Sequence, residues 1–192
     1  MNKNIPLKKQ QLINLIFNYD GPEKIKEDFL FFIRQCPHDF YQRNNPIGHI
    51  TSSVLVVDQT YTNTLIVHHK KANYWLQPGG HWDDIKESIQ ASAIREVFEE
   101  CFNSNPVDFQ WLNQQKILDL DVHDTGHHLH FDIAFLAQID SNLPLHLAPE
   151  EALEVKWVPL KEIVENSLYY DVRLVRMCEK FLKSKNQNKQ KI

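Results

Sequence analysis

The sequence predicts an α/β fold, and three observations carry that prediction. Apolar residues recur at helical spacing toward both ends, as Leu12, Leu15 and Ile16, then Ile25, Phe29, Phe32 and Ile33, and finally Leu174, Val175, Cys178 and Leu182. In between, the period shortens to that of strands, with a β-branched run over residues 50–57 and alternation of apolar and polar residues over 116–122. Amid these strands stands Pro78-Gly79-Gly80-His81-Trp82-Asp83, a diglycine stretch that leads into a helix-forming run ending at Glu99-Glu100.

Taken in order, Pro6 opens the first helix, and Asp20-Gly21-Pro22 separates it from a second that runs up to Pro37. Residues 38–46 are polar and punctuated, and read as a linker. Residues 50–57 and 64–68 form a hairpin about a turn at 59–63, and Tyr74-Trp75-Leu76-Gln77 is a short strand that delivers a sharp diglycine loop. Ser88 can accept hydrogen bonds from the first amides of the next helix, which Ala91, Ala93 and Ile94 propagate. The alternating residues 116–122 and 133–139 are strands on either side of a histidine-rich turn. A strand at 154–158, a short helix opened by Pro159 and a closing helix at 171–182 follow, with 183–192 polar and frayed. This reading divides the chain into a helical extension, 1–45, a main domain, 46–184, and a polar tail, 185–192.

The helix after the diglycine has two chemically different sides. At about 100° per residue, Ala91, Ile94, Val97, Phe98 and Cys101 share one side and Glu96, Glu99 and Glu100 the other. Glu96 and Glu100, four residues apart, repel each other, and Arg95 is the nearby cation, within reach of Glu99 or Glu87. Either this is a solvated acidic face, or its carboxylates serve a hard divalent cation such as Mg²⁺, which takes oxygen ligands.

The ordered set of Gly80, six residues, Glu87, seven residues, then Arg95-Glu96-Val97-Phe98-Glu99-Glu100 closely resembles the signature of the Nudix hydrolases. The resemblance is strongest over 76–100 and extends more weakly over about 48–166. The loop between Gly80 and Glu87 carries one residue more than the usual box, and Phe102 and Asn103 stand where a glycine and an apolar residue normally close it, so the helix exit must differ. The resemblance implies a Nudix-like α/β/α sandwich with a mixed sheet, preceded here by the N-terminal helical segment. It further implies a Mg²⁺- or Mn²⁺-dependent pyrophosphohydrolase acting on a nucleoside diphosphate linked to another group. On that footing Glu96 and Glu100 are the main metal ligands. Glu99 binds a second ion or takes the proton from water, and the Gly79 carbonyl completes the coordination. Arg95 pairs with Glu87 to fix the loop against the helix. The general base is left open among Glu99, Glu150, Glu151 and a histidine of the turn at 123–130.

Two further sets are candidates for substrate contact. Trp82 lies on a polar loop where its ring could meet a ligand, whereas Trp75 reads as packing. Alternation places His128, His130 and Asp132 on one face and Leu129, Phe131 and Ile133 on the other, and the histidines admit three readings: metal binding, phosphate or substrate contact, and structure.

Composition bounds the rest. At 192 residues, 42% of them hydrophobic, the chain fits one domain of ordinary size. A net charge of −4 and a pI near 6.2 argue against a general binder of nucleic acid or anionic membranes. Cys36, Cys101 and Cys178 are widely spaced and odd in number, which suits reduced thiols, and with no signal-like or membrane-spanning stretch the expected location is the cytoplasm. The N-terminal helices could pack on the core, line the substrate site or form a homodimer surface. Two other functions fit the resemblance. One is a nucleotide-binding sensor or interaction module that does not cleave its ligand. The other is isopentenyl diphosphate isomerase, a related fold, but its Cys-Gly-His turn is here Gly79-Gly80-His81 and the thiol its chemistry needs is missing.

Overall fold

The structure, a computed structural model, describes residues 4–189. Five α-helices and eight strands lie among them, so the α/β class read from the sequence is the class observed. Helices α1 (Asn4–Phe17) and α2 (Glu23–Gln35) come first. Strands β1 (Gly48–Val57), β2 (Asn63–His69), β3 (Tyr74–Leu76) and β4 (Gly79–His81) lead to α3 (Ile89–Cys101). Strands β5 (Phe109–Trp111), β6 (Asp119–Asp124), β7 (Leu129–Ile139) and β8 (Ala152–Pro159) precede α4 (Leu160–Glu165) and α5 (Val172–Lys189). The strands form one sheet with the order β3-β2-β1-β7-β5, while β4 pairs with β1, β6 with β7 and β8 with β2. By its contacts the chain divides into two units.

The first unit comprises the chain up to Ser53, Gly79–Glu96 and Asn113–Phe135. The helical stripes that mark α1 and α2 are its core: Leu12, Ile16, Phe29, Phe32 and Ile33 are buried. Phe131 of β7 stacks on Phe32 with ring centroids 4.0 Å apart and meets Phe29 edge-on at 5.4 Å. Each such buried ring contributes roughly 1.5–3 kcal/mol. β6 and β7 form an antiparallel hairpin from Asp119↔Ala134 to Asp124↔Leu129. The face of β7 opposite Phe131 is polar and anchored, because Asp132 accepts hydrogen bonds from Thr51 Oγ1 at 2.9 Å and Ser53 Oγ at 2.7 Å.

Two expectations need correction in this unit. Residues 38–46 are not a loose linker: Phe40 is buried, its carbonyl accepts the Ile50 amide at 2.8 Å, and the buried Asn45 side chain accepts the Ile47 amide at 2.9 Å. Aromatic packing, invisible in a polar-looking stretch, holds this segment to the strand it precedes. The diglycine is also not a sharp turn. Gly79, Gly80 and His81 run as β4, paired with Ser53, Ser52 and Thr51 of β1. Glycine is required there for proximity, since a Cβ on Gly79 would come within 2.5 Å of the Ser53 Cβ and 2.6 Å of the Ser52 carbonyl oxygen.

The second unit comprises Val54–Pro78, Val97–Leu112 and the chain from Leu136. β2 is its centre, pairing with β8 from Asn63↔Pro159 to His69↔Ala152 and with β3 from Val67↔Leu76 to His69↔Tyr74. Asp58 organises the β1–β2 turn by accepting the Thr62 and Asn63 amides and the Thr60 hydroxyl. Trp75 packs as expected, stacked on His68 at 4.8 Å with the Lys156 ammonium 4.0 Å from its ring centre. The exit from α3 is indeed unusual: Asn103 and Ser104 adopt left-handed φ values of 52° and 59°, and the Ser104 amide donates to the Phe98 carbonyl at 2.8 Å. Asparagine tolerates that left-handed conformation just past a helix end better than most residues. α5 continues to Lys189, seven residues beyond the end its apolar stripe predicts, while residues 190–192 of the expected frayed tail lie outside the described residues. No helix among the described residues is long and apolar enough to cross a membrane.

Candidate active site

α3 supplies the acids. Its N-terminus is capped as the sequence indicates, with the Ser88 hydroxyl accepting the Ala91 amide at 3.1 Å. The anionic side is not a solvated face, however. Glu96 is 7% exposed and Glu100 is 1% exposed, while Glu99 is half-buried. Carboxylates are seldom buried so far unless other groups or a cation compensate them. Glu96 has part of that compensation, since Arg95 Nη1 donates to its Oε1 at 2.9 Å, a partner not among the Glu99 and Glu87 that the sequence puts within its reach.

Arg95 ties the loop to the helix. Besides Glu96, its guanidinium donates to Glu87 Oε1 at 3.3 and 3.4 Å, to the His81 carbonyl at 3.1 Å and to Ser92 Oγ at 3.2 Å. One planar fork therefore joins the strand end, the loop and the helix, a geometry lysine could not reproduce. Gly80 is the counterpart on β4: a Cβ there would collide with the Glu96 carboxylate, reaching its Cδ at 2.5 Å. The extra loop residue is absorbed by a turn in which Asp84 accepts the Lys86 amide through its side chain and the Glu87 amide through its carbonyl. Just before it, Arg43 donates from Nε and Nη2 to the two carboxylate oxygens of Asp83, and this ion pair holds the Asp83 carboxyl below the usual range. The Glu96 carboxylate, buried beside a strand that admits no side chain, is an oxygen donor of the kind a hard divalent cation takes.

The structure also gathers histidines that the sequence does not join. His128 and His130 share a face as expected, with their Nε2 atoms 3.3 Å apart. Into the same cluster come His49 from β1 and His81 from β4, neither of which pattern reasoning singles out as a ligand. His49 is 0% exposed and pushed down to about 4, first by burial and then by His81, His128 and Arg43, against a smaller opposing pull from Asp83. His130 is pushed down to about 2, first by burial and then by His49, His81, His123 and His128. His123, at the edge of the group, shares a 3.0 Å hydrogen bond with Asp121. The one clue in the sequence was that His81 directly follows the diglycine.

Trp82 needs correction. It is 1% exposed, its ring lies 6.2 Å from Phe40 and 6.4 Å from Tyr41, and it borders a cleft with Leu12 and Leu15 of α1 and Ile89 of α3. Its apolar ring is recruited by the packed 38–46 segment, so it is part of the interior rather than a ligand platform on a polar loop. Glu150 and Glu151 occupy an exposed turn before β8, where the Glu151 carbonyl accepts the Lys70 amide at 2.8 Å. All three cysteines are free and buried, and burial raises Cys178 to about 12 and Cys101 well above the usual thiol value, which leaves these two inert.

A family profile described as NUDIX domain matches residues 48–176. A search by sequence among curated proteins found no match. Among solved structures, similar chains include an Ap4A hydrolase from C. elegans in a binary complex, with a TM-score of 0.59 and 17% identity over 72% of this chain and 98% of that one. A NUDIX-family hydrolase from Clostridium perfringens gives 0.57 and 23%, over 71% and 97%. The NUDIX domain of Shewanella oneidensis NrtR, cocrystallised with ADP ribose, gives 0.53 and 14%, over 78% and 97%. At these identities the structural likeness establishes the fold.

Proposed function

The chain belongs to the Nudix family, and from that premise we propose that it is a Mg²⁺- or Mn²⁺-dependent hydrolase of the pyrophosphate linkage in a nucleoside diphosphate bound to another group. The observation that carries this reading is the burial of Glu96 and Glu100 on α3, with Arg95 bracing Glu96 against Glu87 and the His81 carbonyl. Deep burial of two like-charged groups one helical turn apart is costly, and an oxygen-selecting cation offsets that cost. The ligands are Glu96, Glu99, Glu100 and the Gly79 carbonyl. Once bound, the ion supplies neutralisation of the phosphoryl oxygens and acidification of water.

Every other part of the chemistry falls to the chain itself. Arg95 and Glu87 keep the Glu96 carboxylate in one orientation, a role whose loss weakens metal sites appreciably. Glu99, half-buried, either holds a second ion or is the proton acceptor, and our choice for the acceptor rests on its reach to solvent and its place between Glu96 and Glu100 in sequence. Water attacks one phosphorus, the bridging P–O bond breaks, and two phosphate-bearing products leave. We assign His128 and His130 to contact with the substrate. The domain reading accompanies this proposal: 1–45 as a helical extension, 46–184 as the catalytic domain and 185–192 as a tail.

The test is formation of the two phosphomonoester products, separated by chromatography, from a panel of nucleoside diphosphate derivatives with and without Mg²⁺, comparing wild type with Glu100→Gln. Metal-dependent turnover in the wild type alone is expected, and equal rates would remove the carboxylates from the mechanism. Tight binding with no turnover under any divalent ion would favour the non-cleaving sensor instead.

A further inference from the structure

We propose that His49, His81 and His130 form a second metal site, one for a borderline transition-metal ion of the zinc class. Each ring offers one nitrogen, and the three nitrogens lie within 4.8 Å of one another. They come from three paired strands of the first unit, β1, β4 and β7, so the sheet fixes their backbones. Ring centroids are 4.8 Å apart for His49 and His81, 4.8 Å for His49 and His130, and 5.2 Å for His81 and His130.

The independent sign of a ligand is His49. It is fully buried, and neither Nδ1 nor Nε2 has a hydrogen-bond partner. An unsatisfied buried polar atom costs about 1–3 kcal/mol, and the rest of β1 is buried too, so an apolar residue would be the cheaper occupant for packing alone. A cation removes that cost by accepting a lone pair. An anion does not fit as well, because it would need protonated rings in a place where burial and neighbouring rings oppose protonation.

The donor chemistry selects the ion. An all-imidazole set suits Zn²⁺, Cu²⁺, Ni²⁺ or Co²⁺ and discriminates against Mg²⁺, which prefers the oxygens of α3. At Zn–N distances of about 2.0–2.1 Å, tetrahedral ligands stand roughly 3.4 Å apart. The rings must therefore close by at most about 1.4 Å, within reach of small side-chain rotations because the imidazole torsion is broad. His128, with its ring 4.6 Å from that of His49 and its Nε2 3.3 Å from that of His130, is the nearest candidate for a fourth nitrogen. The ion would bind whether or not the chain cleaves a pyrophosphate, but His130 is shared with the substrate contact proposed above, so the metal titration is read without substrate.

The experiment titrates the chelator-stripped full chain with Co²⁺ and then Zn²⁺. One Co²⁺ per chain with the visible bands of a nitrogen-ligated, low-coordinate ion is expected, with Zn²⁺ displacing it. X-ray absorption on the Zn²⁺-loaded wild type should show imidazole nitrogens at about 2.0–2.1 Å. His49→Gln and His130→Gln should each weaken binding at least about tenfold, since even losses outside the ligand set reach that size. Glu100→Gln should leave the cobalt spectrum in place. If His49→Gln fails to fold by circular dichroism, His130→Gln and the wild-type absorption data decide the matter. An oxygen-only shell, no cobalt bands at micromolar metal, or bands lost with Glu100→Gln but kept with His130→Gln would overturn the proposal.

Discussion

The acids of α3 and the histidines of β1, β4 and β7 are both ionisable groups taken out of water, yet they are organised in opposite ways. The acids sit on one helix, close in sequence, and Glu96 is held by a charged partner, Arg95. The histidines converge from three strands, and burial depresses the charged form of His49 and His130. A hard cation is suited to the first set and a borderline one to the second. What the difference teaches is that groups suited to different metals can be neighbours in sequence, so that both proposed sites meet at one dipeptide: His81 is in the histidine cluster and Gly80 is pressed against Glu96.

The sharpest way to break this contrast is to remove one set and watch the other. Glu100→Gln should lower Mg²⁺-dependent turnover on the order of 10³-fold, the equivalent of several kcal/mol of lost charge stabilisation. Steady-state kinetics at saturating Mg²⁺ would check this, and an unchanged kcat would mean the acids do not serve catalysis. Arg95→Gln should weaken Mg²⁺ activation by about 10- to 100-fold while the fold persists, because the fork to Glu87, Glu96 and the His81 carbonyl is gone. Arg95→Lys should recover little of it, since an ammonium cannot span three acceptors in one plane. The readout is the Mg²⁺ concentration at half-maximal rate.

Gly80→Ala tests whether β4 must lie against Glu96. The added methyl meets that carboxylate, so a loss of about 1–3 kcal/mol is expected. For a chain of this length each kcal/mol is about 2–4 °C in Tm, measurable by calorimetry. A Tm equal to that of wild type, together with normal Mg²⁺ activation, would show that Glu96 has room to move.

The mildest test titrates the histidines in metal-free protein. His49 ordinarily protonates near 6.5 and is held down to about 4 in the fold. The unfolded chain therefore binds the proton first, so stability is fully present above about 6.5 and is lost as pH falls toward 4. His130 acts in the same direction and further down, to about 2. Each contributes up to about 1.4 kcal/mol per pH unit over its window. Urea unfolding at steps from pH 7 to pH 4 should show this slope, and His49→Gln, where it folds, should flatten it.

How much of this was legible depended on whether the signal was local. Leu12, Ile16, Phe29, Phe32 and Ile33 announce buried helix faces because helical period is written in neighbouring residues, and each is buried. Arg95 and Glu87 pair across eight positions, near enough for a motif to capture. His49, His81 and His130 are 32 and 49 positions apart in turn, and nothing in a linear reading brings them together. Trp82 was misjudged for a related reason. Its polar neighbours indicate a surface loop, but Phe40 and Tyr41, about forty residues earlier, fold over it.

By itself the sequence determined the α/β class, the positions of most helices and strands, and the ordered acids of α3, since periodicity, turn residues and capping act over a few residues. Tertiary structure alone decided that Glu96 and Glu100 are buried rather than solvated, that the diglycine is a strand edge closed against β1, and that histidines from three strands meet. Burial and strand register depend on what the rest of the chain packs against, and that is settled only when distant segments come together.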